Sequence, residues 1–152
     1  MPLPNIFTSE VTKNVIERIN QLKPETQPQW GKMSVSQMLA HCNVTYELVY
    51  DNKHPPPGFI MKTIMKAFVK NIVTSEKPYK RNSRTAPVFL IEGDRNFEME
   101  KNRLTNHIIK TQNLGTAHFD NKESHSFGRL TVPEWNNMFY KHLDHHLSQF
   151  GV

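Results

Sequence analysis

Apolar residues recur at intervals of three and four along nearly the whole chain, and this period constrains the fold more than any other feature. It is the period of α-helices that each bury one face. Residues 9–22 place Val11, Val15, Ile16, Ile19 and Leu22 on one side, with Thr8 or Ser9 placed to cap the start. Pro24 and Pro28 end that segment. A second helix opens at SVSQ, where Ser34 and Gln37 stand at capping-box spacing. It runs through Met38, Leu39, Cys42, Thr45, Leu48 and Val49 to about Asp51, and HPPPG at 54–58 breaks it. A third, over 59–73, carries Ile60, Ile64, Met65, Phe68, Val69 and Ile72, with lysines opposite. A fourth runs from about Asp94 to Asn113 and meets a C-cap at Leu114-Gly115. The fifth opens at TVPE, where Thr131 and Glu134 repeat the capping-box spacing, and continues to the C-terminus.

No repeat or composition break divides these segments. The expectation is an all-α fold, one domain over residues 1–152, built as an antiparallel four-helix bundle with an additional short helix and two long loops. The loops, 74–93 and 115–131, have no helical period of their own. Loops of this length in a compact domain are often functional. The first contains PVFLIEG, an apolar run that suits a strand or a segment docked on the helices.

Composition narrows the function classes. The chain has 152 residues, one cysteine and a net charge of +5, with a pI near 9.4. One cysteine makes no internal disulfide. The N-terminus lacks a secretion signal, and no uncharged apolar run reaches the ~18–20 residues that span a bilayer. A soluble, cytoplasmic protein is expected, with no membrane partner. The basic residues Lys62, Lys66 and Lys70, and those of KPYKRNSR at 77–84, read as solvated surface. Nucleic-acid binding is disfavoured, because no aromatic stacking platform or recognition motif accompanies them.

Three of the eight histidines fall within five positions, His142, His145 and His146. On a helical wheel Trp135, Met138, Phe139, His142, His146 and Gln149 share one face, so a stripe that begins aromatic becomes histidine. His142 and His146 are i, i+4 neighbours, a spacing from which two imidazoles can reach one ion. His145 lies about 60° away on the wheel and is less well placed. Histidines near a helix C-terminus also favour the negative end of its dipole, which is the competing account. His41, on the apolar edge of the second helix, is the best third ligand. His54, His107, His118 and His125 fall in loops or on polar faces and read as surface residues. Three histidines without a carboxylate leave an open coordination position, as in catalytic zinc sites. Cys42 follows His41 directly but diverges from it by ~100° around the helix, and reads as a small buried residue.

The segments WGKMSVSQMLAHC at 30–42 and FGRLTVPEWNNMFYKHLDHHLSQFGV at 127–152 resemble the DinB-like superfamily, the DinB/YfiT group of metalloenzymes. The closest likeness is to bacterial proteins that end in His-Leu-Asp-His-His-Leu-x-Gln-Phe-Gly. The matched segments cover roughly a quarter of the chain. The resemblance implies an up-down-down-up four-helix bundle, often dimeric. It also implies a divalent ion, zinc or nickel, held by His41, His142 and His146. Characterised members of the superfamily include S-transferases and isomerases that use bacillithiol, mycothiol or glutathione. One departure is ESHSFG, where that branch is expected to carry His-Pro before Phe-Gly; His125 is therefore not carried over as a ligand.

Two readings follow. In the first, the protein is a divalent-metal-dependent enzyme, a thiol-dependent S-transferase or related hydrolase acting on a small electrophile. The basic residues of 77–84 would attract an anionic cosubstrate if that loop folds over the site. In the second, it is a non-catalytic metal- or ligand-binding stress-response protein. The Met- and Phe-rich face of FIMKTIMKAFV suggests a homodimer.

Overall fold

The computed structural model describes residues 2–152. The fold is mostly helical, with a single two-stranded hairpin among the described residues. Helix α1, Ser9–Gln21, starts at Thr8, whose hydroxyl accepts from the Val11 amide. Helix α2, Val35–Tyr50, begins with a complete capping box: Ser34 and Gln37 each satisfy the other's backbone amide. Every residue from Met38 to Glu47 in α2 is buried, so this helix has no solvated face and packs against partners all round.

Gly58 precedes α3, Phe59–Ile64, which passes through one wide π-turn, Met65–Val69, into α4, Lys70–Thr74. Helix α5, Phe97–Phe119, outruns the expected stop. Gly115 does break the helix, with φ +68° and ψ 178°, but helical backbone resumes for one turn and carries Phe119 into the core. The loop that follows, expected to lack regular structure, holds a short antiparallel hairpin of β1, Lys122–Ser124, and β2, Gly128–Leu130. Helix α6, Val132–Gln149, opens with the second capping box, Thr131 with Glu134.

Helix α2 packs against α5 and α6, and α1 packs against the same pair. Helix α4 lies on α6. The core is aromatic at one end: Trp135 stacks on Phe139 with centroids 5.5 Å apart, and Phe119 meets both. Removing a buried ring of this size typically costs ~3–5 kcal/mol. That end of α6 therefore anchors the helix, and the histidines two turns further on are carried by it.

Residues 86–91 are neither strand nor free loop. Pro87–Phe89 forms a single 3-10 turn that docks on α2. Two adjacent rows of α3 and α4 differ in environment. Met65, Val69 and Val73 pack on the core, while Phe59, Ile60, Phe68 and Ile72 face outward. No helix of the described residues is long and apolar enough to cross a membrane.

Candidate metal centre

Helices α2 and α6 bring His41, His142 and His146 together, with one ligand nitrogen of each within 4.8 Å of the others. The His41 and His142 Nε2 atoms are 3.0 Å apart. Two imidazoles each ~2.0–2.1 Å from one ion would hold their nitrogens roughly 3.0–3.4 Å apart, so this pair fits. His41 and His146 are buried; His142 keeps a little accessible surface. No carboxylate or thiol joins the three among the described residues.

The hydrogen bonds around the cluster determine where its protons sit. His41 Nδ1 lies 2.9 Å from the carbonyl oxygen of Phe89. A carbonyl only accepts, so Nδ1 carries the proton and Nε2 presents a lone pair inward. His146 Nδ1 lies 2.8 Å from Gln149 Oε1. The Gln149 amide cannot be flipped, because its Nε2 donates to the Trp30 carbonyl at 2.7 Å. His146 Nδ1 is therefore also protonated, and its Nε2 is free. The turn that supplies the Trp30 carbonyl approaches closely because residue 31 is glycine. Gly31 has φ +83°, and a Cβ there would stand 2.7 Å from Gln149 Nε2.

His142 is the exception. Its Nδ1 lies 2.9 Å from Thr45 Oγ1, a hydroxyl that can donate or accept. Two lone pairs cannot face each other at 3.0 Å without repulsion. Without a cation, His142 Nε2–H donates to His41 Nε2 and Thr45 donates to His142 Nδ1. Were His142 to bind a cation through Nε2, its proton would have to sit on Nδ1, where Thr45 could accept it. Thr45 suits both tautomers, and a valine there would suit neither.

Electrostatics keep the cluster uncharged. Burial pushes His146 down to about 3, aided by the neighbouring imidazole of His41. Burial also lowers His41, and burial with the other histidines lowers His142. Neutral imidazole is the form that binds metal. Coupling of metal-binding histidines to outward hydrogen-bond acceptors is the usual second layer of such sites.

Aromatic rings enclose the cluster. Phe89 packs on His41 and His142, with centroids at 5.2 and 5.7 Å. Tyr79 meets His142 and His145 edge-on. His145 stands beside His146, between Tyr79 and Trp30, and reaches no other ligand nitrogen of the group.

A family model described as "Protein of unknown function (DUF1569)" matches residues 7–151. The chain belongs to the DUF1569 family. No curated protein and no solved structure matches it.

The remaining histidines of this DUF1569 chain lie elsewhere. His118 is exposed, as expected. His125 bonds the Ser126 hydroxyl and the His54 carbonyl beside the hairpin, away from the cluster. His54 and His107 are not the surface residues the sequence suggested. His54 bonds Glu47, and His107 lies stacked on Tyr46 with its Nδ1 on Asn43 Oδ1. Both belong to a polar network in which Arg103 bridges the carboxylates of Glu47 and Glu100. Cys42 is fully buried, near Met38 Sδ, and burial pushes its thiol well above the ordinary range. It is no nucleophile in the folded chain.

Sequence reasoning missed Phe89, Tyr79 and Trp30 as neighbours of the site. Each lies on an aperiodic segment whose path depends on tertiary contacts. Gln149 was visible on the histidine face, but its partner carbonyl at Trp30 was not.

Proposed function

We propose that the protein is a divalent-metal-dependent enzyme of the DinB-like kind, a single helical-bundle domain acting in the cytoplasm. Its reaction would be thiol-dependent S-transfer to a small electrophile, or a related hydrolysis. One observation carries this reading: three imidazoles converge, two of them with their protons held outward by Phe89 and Gln149, and among the described residues no carboxylate or thiol joins them as a fourth donor. Structural zinc sites close the fourth position with protein, whereas catalytic sites leave it open.

His41, His142 and His146 would hold the ion. Zinc or nickel bound there would supply Lewis acidity, lowering the pKa of a thiol or water at its open position. The chain's own residues do the rest. Phe89 and Tyr79 exclude water, which strengthens electrostatic interactions within the site. Gln149 and the Phe89 carbonyl orient two of the rings. The Thr45 hydroxyl can donate to or accept from His142 Nδ1 and so would suit either tautomer.

The test is elemental analysis of untagged protein beside a His142→Ala, His146→Ala double variant. About one zinc or nickel per chain, lost in the variant, supports the reading and justifies a thiol-transfer screen. No metal, even after dialysis against zinc and nickel, returns the histidines to core packing. A second reading, non-catalytic metal or ligand binding in a stress response, draws on the way Phe89 covers both His41 and His142. Metal retention without turnover in the screen would favour it.

A further inference from the structure

Beside the three histidines lies a cavity of about 180 Å³, open at one side. Trp30, Tyr79, Arg81, Lys141, Asp144 and His145 line it. Segment 77–84 does fold over the site: Tyr79 reaches the rings of His142 and His145, and Arg81 lies 4.1 Å over the Trp30 ring. Lys141 forms the floor, 4% exposed, its ammonium donating to the carbonyls of Ile72 and Ser75 at 2.7 and 2.5 Å.

The charges of this cavity do not balance. Among the described residues neither Arg81 nor Lys141 has a carboxylate partner. The one carboxylate in the lining, Asp144, is already paired with Arg18 at 2.8 Å. The Lys141 ammonium is held by the carbonyls at the C-terminal end of α4 and lies 4.7 Å over the Tyr79 ring, so it is stabilised without a counter-charge of its own. The Arg81 guanidinium rests on Trp30, and among the described residues its donors meet no carboxylate, so they can face an incoming oxyanion. At ~30 Å³ per water, the cavity displaces about six waters, enough for a carboxylate and a short apolar stem but not a whole drug-sized ligand.

We infer that this cavity is the subsite for a carboxylate of the small-molecule thiol cosubstrate, with Arg81 as its charge partner, Lys141 beneath it, and Trp30 and Tyr79 as its walls. The anion site stands on these residues alone; its assignment to a thiol rests on the metal-site reading above. A carboxylate seated there lies next to His145 and one ring away from His142 and His146, which directs the thiol end of the same molecule toward the cluster.

The experiment is calorimetric titration of the full, untagged chain, metal-free and zinc-loaded. The probes are succinate, mercaptosuccinate and the uncharged thiol 2-mercaptoethanol. Metal-free protein should bind both dicarboxylates and not 2-mercaptoethanol. Arg81→Ala should weaken succinate about tenfold or more, since a hydrogen bond to a charged group contributes ~1.5–3 kcal/mol. Arg81→Lys should recover part of that loss. Lys141→Gln keeps a donor for the two carbonyls, removes the charge, and should also weaken succinate. Zinc loading should tighten mercaptosuccinate relative to succinate. No succinate binding, or binding indifferent to Arg81, overturns the site. Arg81-dependent succinate binding with no zinc-linked gain for mercaptosuccinate overturns the thiol assignment. If zinc itself fails to bind while succinate still depends on Arg81, the metal reading falls and the anion site stands.

Discussion

Replacing Gln149 by alanine isolates the outer layer of the histidine cluster without touching a ligand. The change removes two hydrogen bonds, from His146 Nδ1 to Oε1 at 2.8 Å and from Nε2 to the Trp30 carbonyl at 2.7 Å. It leaves a buried imidazole N–H without its acceptor, which costs ~1–3 kcal/mol. The freed ring can also place its proton on Nε2, the atom that faces the cluster. Loss of an outer partner typically lowers metal affinity ~10–100-fold, or about 1.4–2.8 kcal/mol, the same range. Zinc affinity would be measured by competition with a chromophoric chelator on metal-free, untagged protein, with the denaturant midpoint as a control for folding. Gln149→Glu separates the two bonds: its carboxylate still accepts from His146 but cannot donate to Trp30. The expected order is wild type and Gln149→Glu tight, Gln149→Ala weak, and His146→Ala weakest. Wild-type affinity in Gln149→Ala, within a factor of two, would show that the tautomer of His146 is not held by this residue.

Other consequences are measurable independently. His146 has a folded pKa near 3 against about 6.5 when unfolded, so the unfolded chain takes up the proton first. Its contribution to the stability of metal-free protein is present above pH ~6.5 and is lost as pH falls toward 3, at up to ~1.4 kcal/mol per pH unit. Denaturant midpoints between pH 7.5 and 5.5 should fall in the wild type and fall less steeply in His146→Leu, where His41 and His142 still contribute; parallel curves would refute this. Arg103→Met leaves Glu47 with His54 and Lys53 but strips buried Glu100 of its cation, leaving it Asn43 alone, and should cost ~3 kcal/mol by chemical denaturation. A loss under ~1 kcal/mol would refute the reading that Arg103 holds Glu100 in the buried network. Finally, Phe59 and Phe68 are 87% and 73% exposed, and Ile60 and Ile72 of the same segment are exposed as well. Large apolar side chains exposed together on one short segment suit an interface between two chains. A homodimer should sediment at micromolar concentration, and Phe68→Asp should dissociate it; a monomeric wild type would refute the dimer.

Much of the fold was legible locally. Both capping boxes, Ser34 with Gln37 and Thr131 with Glu134, form as their spacing implies, because each is closed within one helical turn. The stripe from Trp135 to Gln149 reads correctly for the same reason, since side-chain direction on a helix follows from position alone. Gly115 shows the limit of local reading: its conformation ends the helix, yet burial of Phe119 draws the chain through one more turn. His107 shows it again. On the wheel of α5 it is a polar-face residue, but Asn43 and Tyr46 of α2 pack against it and leave it half-buried.

The candidate site divides along the same line. The sequence by itself determined that His142 and His146 share a helical face, and pointed to His41 on the edge of another. Only the tertiary structure decided that the three meet, because the crossing of α2 and α6 is set by the packing of the whole core. It alone seats Phe89, Tyr79 and Arg81 around them. Those residues lie on segments without periodicity, whose paths follow from the surfaces they cover rather than from their own local preferences.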